Sequence, residues 1–414
     1  MPASPSLLIV PARFKTGKLY TQIATTSAGV VLASSGDFNV TRATTATRFN
    51  SAGLIESVAS GVPRLDYFTS GGTAGCPALL VEASGSNALS YSEEFDNAAW
   101  GKSAMTVSTG TTALFTAPDG TTNADKIIAT SGNVAHNINR SGIASAAYTF
   151  SVFAKAGEES VISLWLRGAS VKAEFNLVSG TVSNITTTSA RIENYGNGWY
   201  RCTVYDSTAG TTAHVYGRGG AAYAGNGSDG FYLWGAQLET GSVATSYIPT
   251  TAAAVTRNAE VITLSGAVSG CIGQTEGTIY AEVVNTLVAS YAEAYVYRVF
   301  ADANNEIWAR KEGGGNTYSF RWRANSQNTT FLNVAVPNGV NKIAFGYKSG
   351  DTALFLNGSQ VATTNTDVRA FSVNPTTIAL GSTSSGQFFN DRIRAVALYT
   401  TRLTNDELDT LTTL

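Results

Sequence analysis

The sequence predicts an all-β protein. Two antiparallel β-sandwich or jelly-roll domains stand in tandem after an irregular N-terminal docking region, and one short helix closes the chain. Three observations carry this reading. Short runs of alternating apolar and polar residues recur, each bounded by Gly, Asn or Ser, at the spacing of strands and turns. No segment of useful length shows helical periodicity before the C-terminal one. Only 14% of the 414 residues are charged, against about 25% in an average soluble protein, so hydroxyls and amides keep the surface soluble. With 43% hydrophobic and 10% aromatic residues the chain has material for real cores, which argues against disorder.

Taken in order, residues 1–79 hold only short pieces such as FNVTR, RFNSAGLIE and PRLDYF, and read as a connector or docking region. Asn50 to Gly53 suits a hairpin turn, because Gly supplies a positive φ. The triplet VTR at 40–42 returns at 255–257, a match short enough to arise by chance. Residues 80–257 form the first sandwich. In AYTFSVFAK, Tyr148, Phe150, Val152 and Ala154 share one face; in SVISLWLRG, Val161 and Trp165 oppose Ile162, Leu164 and Leu166. Residues 231–257 begin as an edge strand and run out through Pro249 into a Thr/Ala-rich connector, with a linker over 258–276. Residues 277–414 form the second sandwich. There Asn357-Gly358 marks a type I′ hairpin turn. In the terminal RLTNDELDTLTTL, Thr404 is the N-cap, Glu407 completes a capping box, and Leu403 and Leu408 make the hydrophobic staple.

The net charge of −2 and the pI near 5.8 leave no electrostatic footprint for nucleic acid or an anionic membrane. Cys76, Cys202 and Cys271 are odd in number and far apart, the pattern of buried small hydrophobes or incidental thiols and not of a disulfide or metal set. The apolar run Leu7 to Val10 is too short for a signal sequence or a span, so synthesis in a cytoplasm is expected. Catalytic signatures are missing: there is no HExxH, P-loop or G-x-S-x-G, and His136 and His214 read as strand residues. A glycosidase needs paired carboxylates, for which Glu93/Glu94, Glu158/Glu159 and Asp302/Glu306 are the candidates, each in a turn-like or loop-like context. The reading is therefore non-enzymatic.

Two resemblances add to this. NALSYSEEFDNAAW, TAPDGTTNADKI, YTFSVFAKAG, GNGWYRCTV and FYLWGAQLETGSVATSYIPT occur in an order similar to that of the carbohydrate-binding-module-like jelly roll of bacteriophage tail, fibre and spike proteins. GTIYAEV, NKIAFGYKSGDTALFLNGSQVAT and TIALGSTSSGQFFNDRIRAVALYTTRLTNDELDTL resemble a concanavalin A-like, laminin G-like sandwich. The N-terminal VTRATTATRFNSAGLIESVASGVPRLDY resembles the leader before such jelly rolls. The resemblance implies a virion protein, made in the host cytoplasm, that contacts other virion proteins and a host surface glycan or receptor as a homo-oligomer, a trimer by preference. Purely structural capsid or tail decoration and a polysaccharide-degrading tailspike are the alternatives. Such jelly rolls often hold calcium. Here Glu94 and Asp96 are its candidates, while the last strand, with Leu233-Trp234-Gly235-Ala236, lacks the expected Asp pair.

Sugar binding is the open functional option, because sugars stack C–H faces on aromatic rings and pair hydroxyls with amides and charged groups. Trp199-Tyr200 reads as core packing at a strand start. Tyr216 and Tyr223, flanking GRGGAA, and Trp308 with Arg310, Arg321 and Arg323 are the exposed candidates, with Trp322 beside them. Alternation puts Ser319, Arg321 and Arg323 on one face and Phe320 and Trp322 on the other, a pattern that also fits a plain solvated sheet face.

Overall fold

The computed structural model describes residues 4–10, 14–26, 29–31, 37–109, 115–167, 171–266, 270–286, 293–313, 315–364, 366 and 370–414, with the backbone alone over 22–26 and 29–31. The fold is all-β. Among the described residues the one α-helix is Asn405–Thr412.

The first sandwich packs two six-stranded antiparallel sheets. In one the order is Gly101–Ser103, Asn137–Arg140, Ala213–Gly217, Val161–Leu166, Lys172–Asn176, Thr181–Ser183. In the other it is Met105–Thr109, Asp125–Ala129, Gly230–Thr240, Ala146–Lys155, Trp199–Gly210, Ser189–Gly196. Period-two alternation decides which side chains meet between them: Tyr148, Phe150, Val152 and Ala154 face Ile162, Leu164, Leu166, Ala213 and Val215 in one core. The second sheet is buried on its outer face as well. There Phe153, Trp199, Tyr232, Trp234 and Tyr247 pack against Ile55 of the N-terminal hairpin Ala46–Phe49/Ile55–Val58. Trp199, 2% exposed, donates its indole N–H to the Thr116 carbonyl at 2.9 Å, so it is a core residue.

Strand Gly230–Thr240, expected at the edge, is central. It pairs with Asp125–Ala129 on one side and Ala146–Lys155 on the other. Its Trp234-Gly235 pair marks a bulge against Ser151–Phe153, where Gly235 has φ +60° and a Cβ would lie 2.9 Å from the Phe153 ring. The following segment is not empty of core either: Tyr247 and Ile248 are each 3% exposed.

The second sandwich sets a nine-stranded sheet against a ten-stranded one around a large apolar core. Residues 1–79, expected to stand apart as an irregular docking region, contribute strands to both sheets. Leu7–Ile9 and Ala78–Val81 pair with Asp391–Tyr399, and Phe38–Thr41 pairs with Val261–Ser265. The last of these strands lies within the stretch expected as a linker. Runs of three to five residues are too short to show a period, yet Leu7, Ile9, Phe38, Val40, Leu79, Ile262 and Leu264 all enter the core. On the outer face of the ten-stranded sheet Leu408 of the helix and Leu403 just before it cover Tyr280, Phe355 and Tyr399. Its capping box is complete. Asn357 and Gly358 both take positive φ, 49° and 77°, as a type I′ turn requires.

Between the sandwiches lies a buried ionic knot. Arg42 and Arg64 each bond the Glu260 carboxylate, at 3.0 and 2.7 Å, and Arg64 pairs with Glu82 at 2.8 Å. Arg257 stands 3.4 Å from Glu260 and 3.5 Å from Glu82. The repeated VTR triplets thus deliver their two arginines to one carboxylate. Burial alone would raise the Glu82 pKa, but Arg257 and Arg64, with hydrogen bonds from Ser246, bring it down to about 2.

Candidate functional site

One face of the molecule combines aromatic and hydrogen-bonding groups in an ordered array. It is the outer face of the six-stranded sheet that starts at Gly101–Ser103, opposite the core positions Ile162, Leu164, Ala213 and Val215. Strand register lays its side chains in two parallel rows. One row runs Ser103, Asn137, Tyr216, Ser163, Glu174, Ser183. The other runs Gly101, Asn139, His214, Trp165, Lys172. On the four central strands these positions alternate with core residues such as Ile138, Val215, Leu164 and Ala173, so their composition is not set by packing alone.

At the centre the rings stack. Trp165 and Tyr216 lie with centroids 4.0 Å apart and 30° between planes, and His214 stacks on Tyr216 at 5.6 Å and 21°. The Lys172 ammonium sits 5.3 Å from the Trp165 ring centroid. Loop residue Gly220 closes one side: its φ is +82°, and a Cβ there would lie 2.2 Å from the indole. The Trp165 indole N–H donates to Ser163 Oγ at 2.6 Å, which fixes the ring. Around the rings, Asn139 donates to Asn137 at 2.9 Å and Asn184 donates to Glu174 at 2.6 Å. Burial lowers the His214 pKa and raises that of Tyr216, so both rings are neutral near pH 7. Among the described residues the Tyr216 hydroxyl has no hydrogen-bond partner. His214 has only a long contact, 3.5 Å from Nδ1 to Asn137. Neutral rings with spare polar atoms, rimmed by amides, a carboxylate and an ammonium, match the mixed apolar and hydroxyl surface of a sugar.

The other expected candidates are placed elsewhere. Tyr223 does not join Tyr216. It is 9% exposed, lies under the Arg218 guanidinium at 4.4 Å, and packs on the His136 ring. Trp308 and Trp322, expected to be exposed, are 2% and 0% exposed; Trp322 belongs to the core between the sheets. Trp308 lies on the outer face of the nine-stranded sheet, where Arg310 and Arg321 cover it at 4.8 and 5.5 Å. Those arginines and Arg323 are half-buried on that face, as alternation implies. Sequence reading alone missed Trp165, His214, Asn137 and Lys172. The available signal was the alternation of each strand, but the rows form only once strands distant in sequence are paired.

The acidic cleft holding Glu94 and Asp96 also contains Glu93 and Asp125. Glu93 accepts from the Tyr247 hydroxyl at 2.9 Å and from Asn123 at 3.0 Å, and Asp125 accepts from the Phe95 N–H at 2.8 Å. Burial, with Asp96 and Glu94 nearby, raises the Asp125 pKa to about 7. Glu93 and Asp125 are thus held within the fold, and among the described residues no group of three or more His, Cys, Asp or Glu is placed to hold a metal ion. The paired carboxylates are engaged too. Glu158 binds Lys126, Glu159 is gripped by Arg218, Asp302 accepts from Asn305, and Glu306 pairs with Arg298.

No curated protein matches the chain in sequence. Among solved structures, it is similar to the CBM40 of Ruminococcus gnavus IT-sialidase bound to α2,3-sialyllactose, at 18% identity and TM-score 0.30 over 36% of this chain and 86% of that one. It is also similar to domain 4 of AbnA, a GH43 extracellular arabinanase from Geobacillus stearothermophilus in complex with arabinotriose. There the identity is 15% and the TM-score 0.32, over 42% of this chain and 83% of that one. The receptor-binding domain of botulinum neurotoxin mosaic serotype C/D matches at 10% identity and TM-score 0.30, over 36% of this chain and 39% of that one. Residues 259–409 match the model of the concanavalin A-like lectin/glucanases superfamily, which makes the second sandwich a concanavalin A-like, laminin G-like domain.

Proposed function

We propose that this chain is a non-enzymatic glycan-binding protein whose binding face is the stacked array of His214, Tyr216 and Trp165. The observation that carries the reading is the pair of polar and aromatic rows across one sheet face, where the half-buried Tyr216, its hydroxyl unspent, stacks on Trp165, itself only 8% exposed. The half-buried Tyr216 and His214 rings, braced by Trp165, supply apolar ground for the C–H patches of a pyranose, and Asn139, Lys172 and Glu174 supply donors and acceptors for its hydroxyls. Binding by a preformed face costs little ordering, since Ser163 and Gly220 already fix the central indole. The superfamily matched by the second sandwich is one of lectins and glucanases, which agrees with carbohydrate as the ligand class but does not bear on the choice of face.

At a finer level, we propose display on a bacteriophage particle as a fibre, spike or appendage, in contact with other virion proteins and aimed at a host surface glycan. The ordered motif resemblance along the chain supports it. A homotrimer would link weak sites and raise avidity by about 10²–10⁴.

The test is a glycan array probed with purified full-length chain, followed by titration of the best ligand. Tyr216→Ala should weaken binding at least tenfold, about 1.4 kcal/mol, with unfolding unchanged. No binding to any host polysaccharide would leave structural decoration as the function. Release of reducing ends would replace binding by hydrolysis.

A further inference from the structure

The geometry points to a second site, independent of the first, on the outer face of the nine-stranded sheet: an arginine lattice that binds an acidic polysaccharide. Register aligns three rungs there. Arg298, Trp308, Arg321 and Thr330 form the middle one; Tyr295, Arg310 and Ser319 lie to one side, and Phe300, Glu306, Arg323 and Asn328 to the other. Neighbouring strands lie about 4.8 Å apart, so Arg298 and Arg321, two strands apart, are separated by about 10 Å. Arg321 and Arg323, two residues apart on one strand, are about 7 Å apart. That is a two-dimensional grid of cations on the scale of a short stretch of charged sugars.

Trp308 is too covered to stack on a sugar itself. Its role is to brace the guanidiniums: Arg310 and Arg321 lie over its ring, and its indole N–H donates to Glu306 at 3.2 Å. Arginine held over an aromatic face is pre-organised for anions such as carboxylate and sulfate. Charge on the face is unevenly paired. Arg298 pairs with Glu306 at 2.8 Å, Arg310 with Glu293 at 2.8 Å and Glu312 at 3.0 Å, while Arg321 reaches Glu306 only at 3.8 Å. Arg323 donates to the Ala303 carbonyl at 2.9 Å. Four arginines thus stand against Glu293, Glu306 and Glu312, with Asp302 at the strand end next to the Ala303 carbonyl that Arg323 binds. Among the described residues the Nε atoms of Arg321 and Arg323 have no hydrogen-bond partner. These Nε atoms are buried, so a ligand on the face meets the terminal NH groups of the two guanidiniums, which form planar forks suited to carboxylate or sulfate. The chain as a whole is slightly acidic, so the patch is local and selects for a ligand laid along this face.

The experiment measures binding of the full chain to a sulfated dextran, a polyuronate and uncharged dextran at low and physiological salt. Expected is binding to one or both polyanions, weakening with salt, and none to uncharged dextran. The sulfated and carboxylated polymers separate the two sources of charge. Arg321→Gln with Arg323→Gln should weaken polyanion binding at least tenfold while the thermal midpoint, and the ligand of the Tyr216 face, stay unchanged. If the double variant misfolds, Arg323→Gln alone is the substitute and should lose at least threefold. No polyanion binding, binding unaffected by the substitutions, or equal binding of duplex DNA of matched charge would each overturn the assignment.

Discussion

Arg42 and Arg257 each end a Val-Thr-Arg triplet, and both guanidiniums meet the carboxylate of Glu260 in a site from which water is excluded. With Arg64 and Glu82 they form five buried charges, and each carboxylate is shared between arginines. Such a knot adds little net stability over a well-packed apolar core, but it is severe when broken, because the remaining charges stay buried and unpaired. Glu260→Ala should therefore destabilise the protein by about 3–5 kcal/mol, read as the shift of a denaturant unfolding curve. Loss of less than about 1 kcal/mol would mean that water or neighbouring carbonyls satisfy the arginines. The sequence displayed the triplets but gave no reason to connect them. Their meaning depends on three segments meeting between the two sandwiches, which no local pattern records.

At the level of elements, legibility followed length and local chemistry. The ten-residue strand Ala146–Lys155 and the Asn357-Gly358 turn were readable because alternation and positive φ are local properties. The terminal helix was readable for the same reason, since its cap and staple lie within a few residues. Thr404→Ala removes the side chain that accepts from the Glu407 N–H and should cost about 1 kcal/mol in denaturant unfolding. An unchanged midpoint would show that packing of Leu403 and Leu408 alone fixes the helix start. Strand Gly230–Thr240 shows the opposite case. It was assigned to an edge because the residues after it are small and polar, yet its neighbours come from 125–129 and 146–155, and the Gly235 bulge answers to Phe153 and Tyr247. Position within a sheet is a pairing property, and pairing was not in the sequence pattern.

For the whole molecule, all-β class and two sandwiches were legible from composition and repetition of short strands. The weaving of the N-terminal strands into the second sandwich was not, because each is too short to carry a period. Of the candidate site, Tyr216 is legible from its setting beside GRGGAA, whereas Trp165 and His214 read from the sequence only as alternating strand residues. They acquire their role only when strands 161–166 and 213–217 pair and the rings stack across them. The central claim is that this stacked face holds a glycan. The chain has six tryptophans, and Trp165 is the one at the stack, so its indole N–H reports on the face directly. The decisive measurement is a ¹⁵N-tryptophan NMR titration with the glycan selected on the array, with Trp165 assigned through Trp165→Phe. The account predicts a saturable shift of the Trp165 signal, with those of Trp100, Trp199, Trp234 and Trp322 unmoved. A bound glycan that leaves the Trp165 signal in place would contradict it.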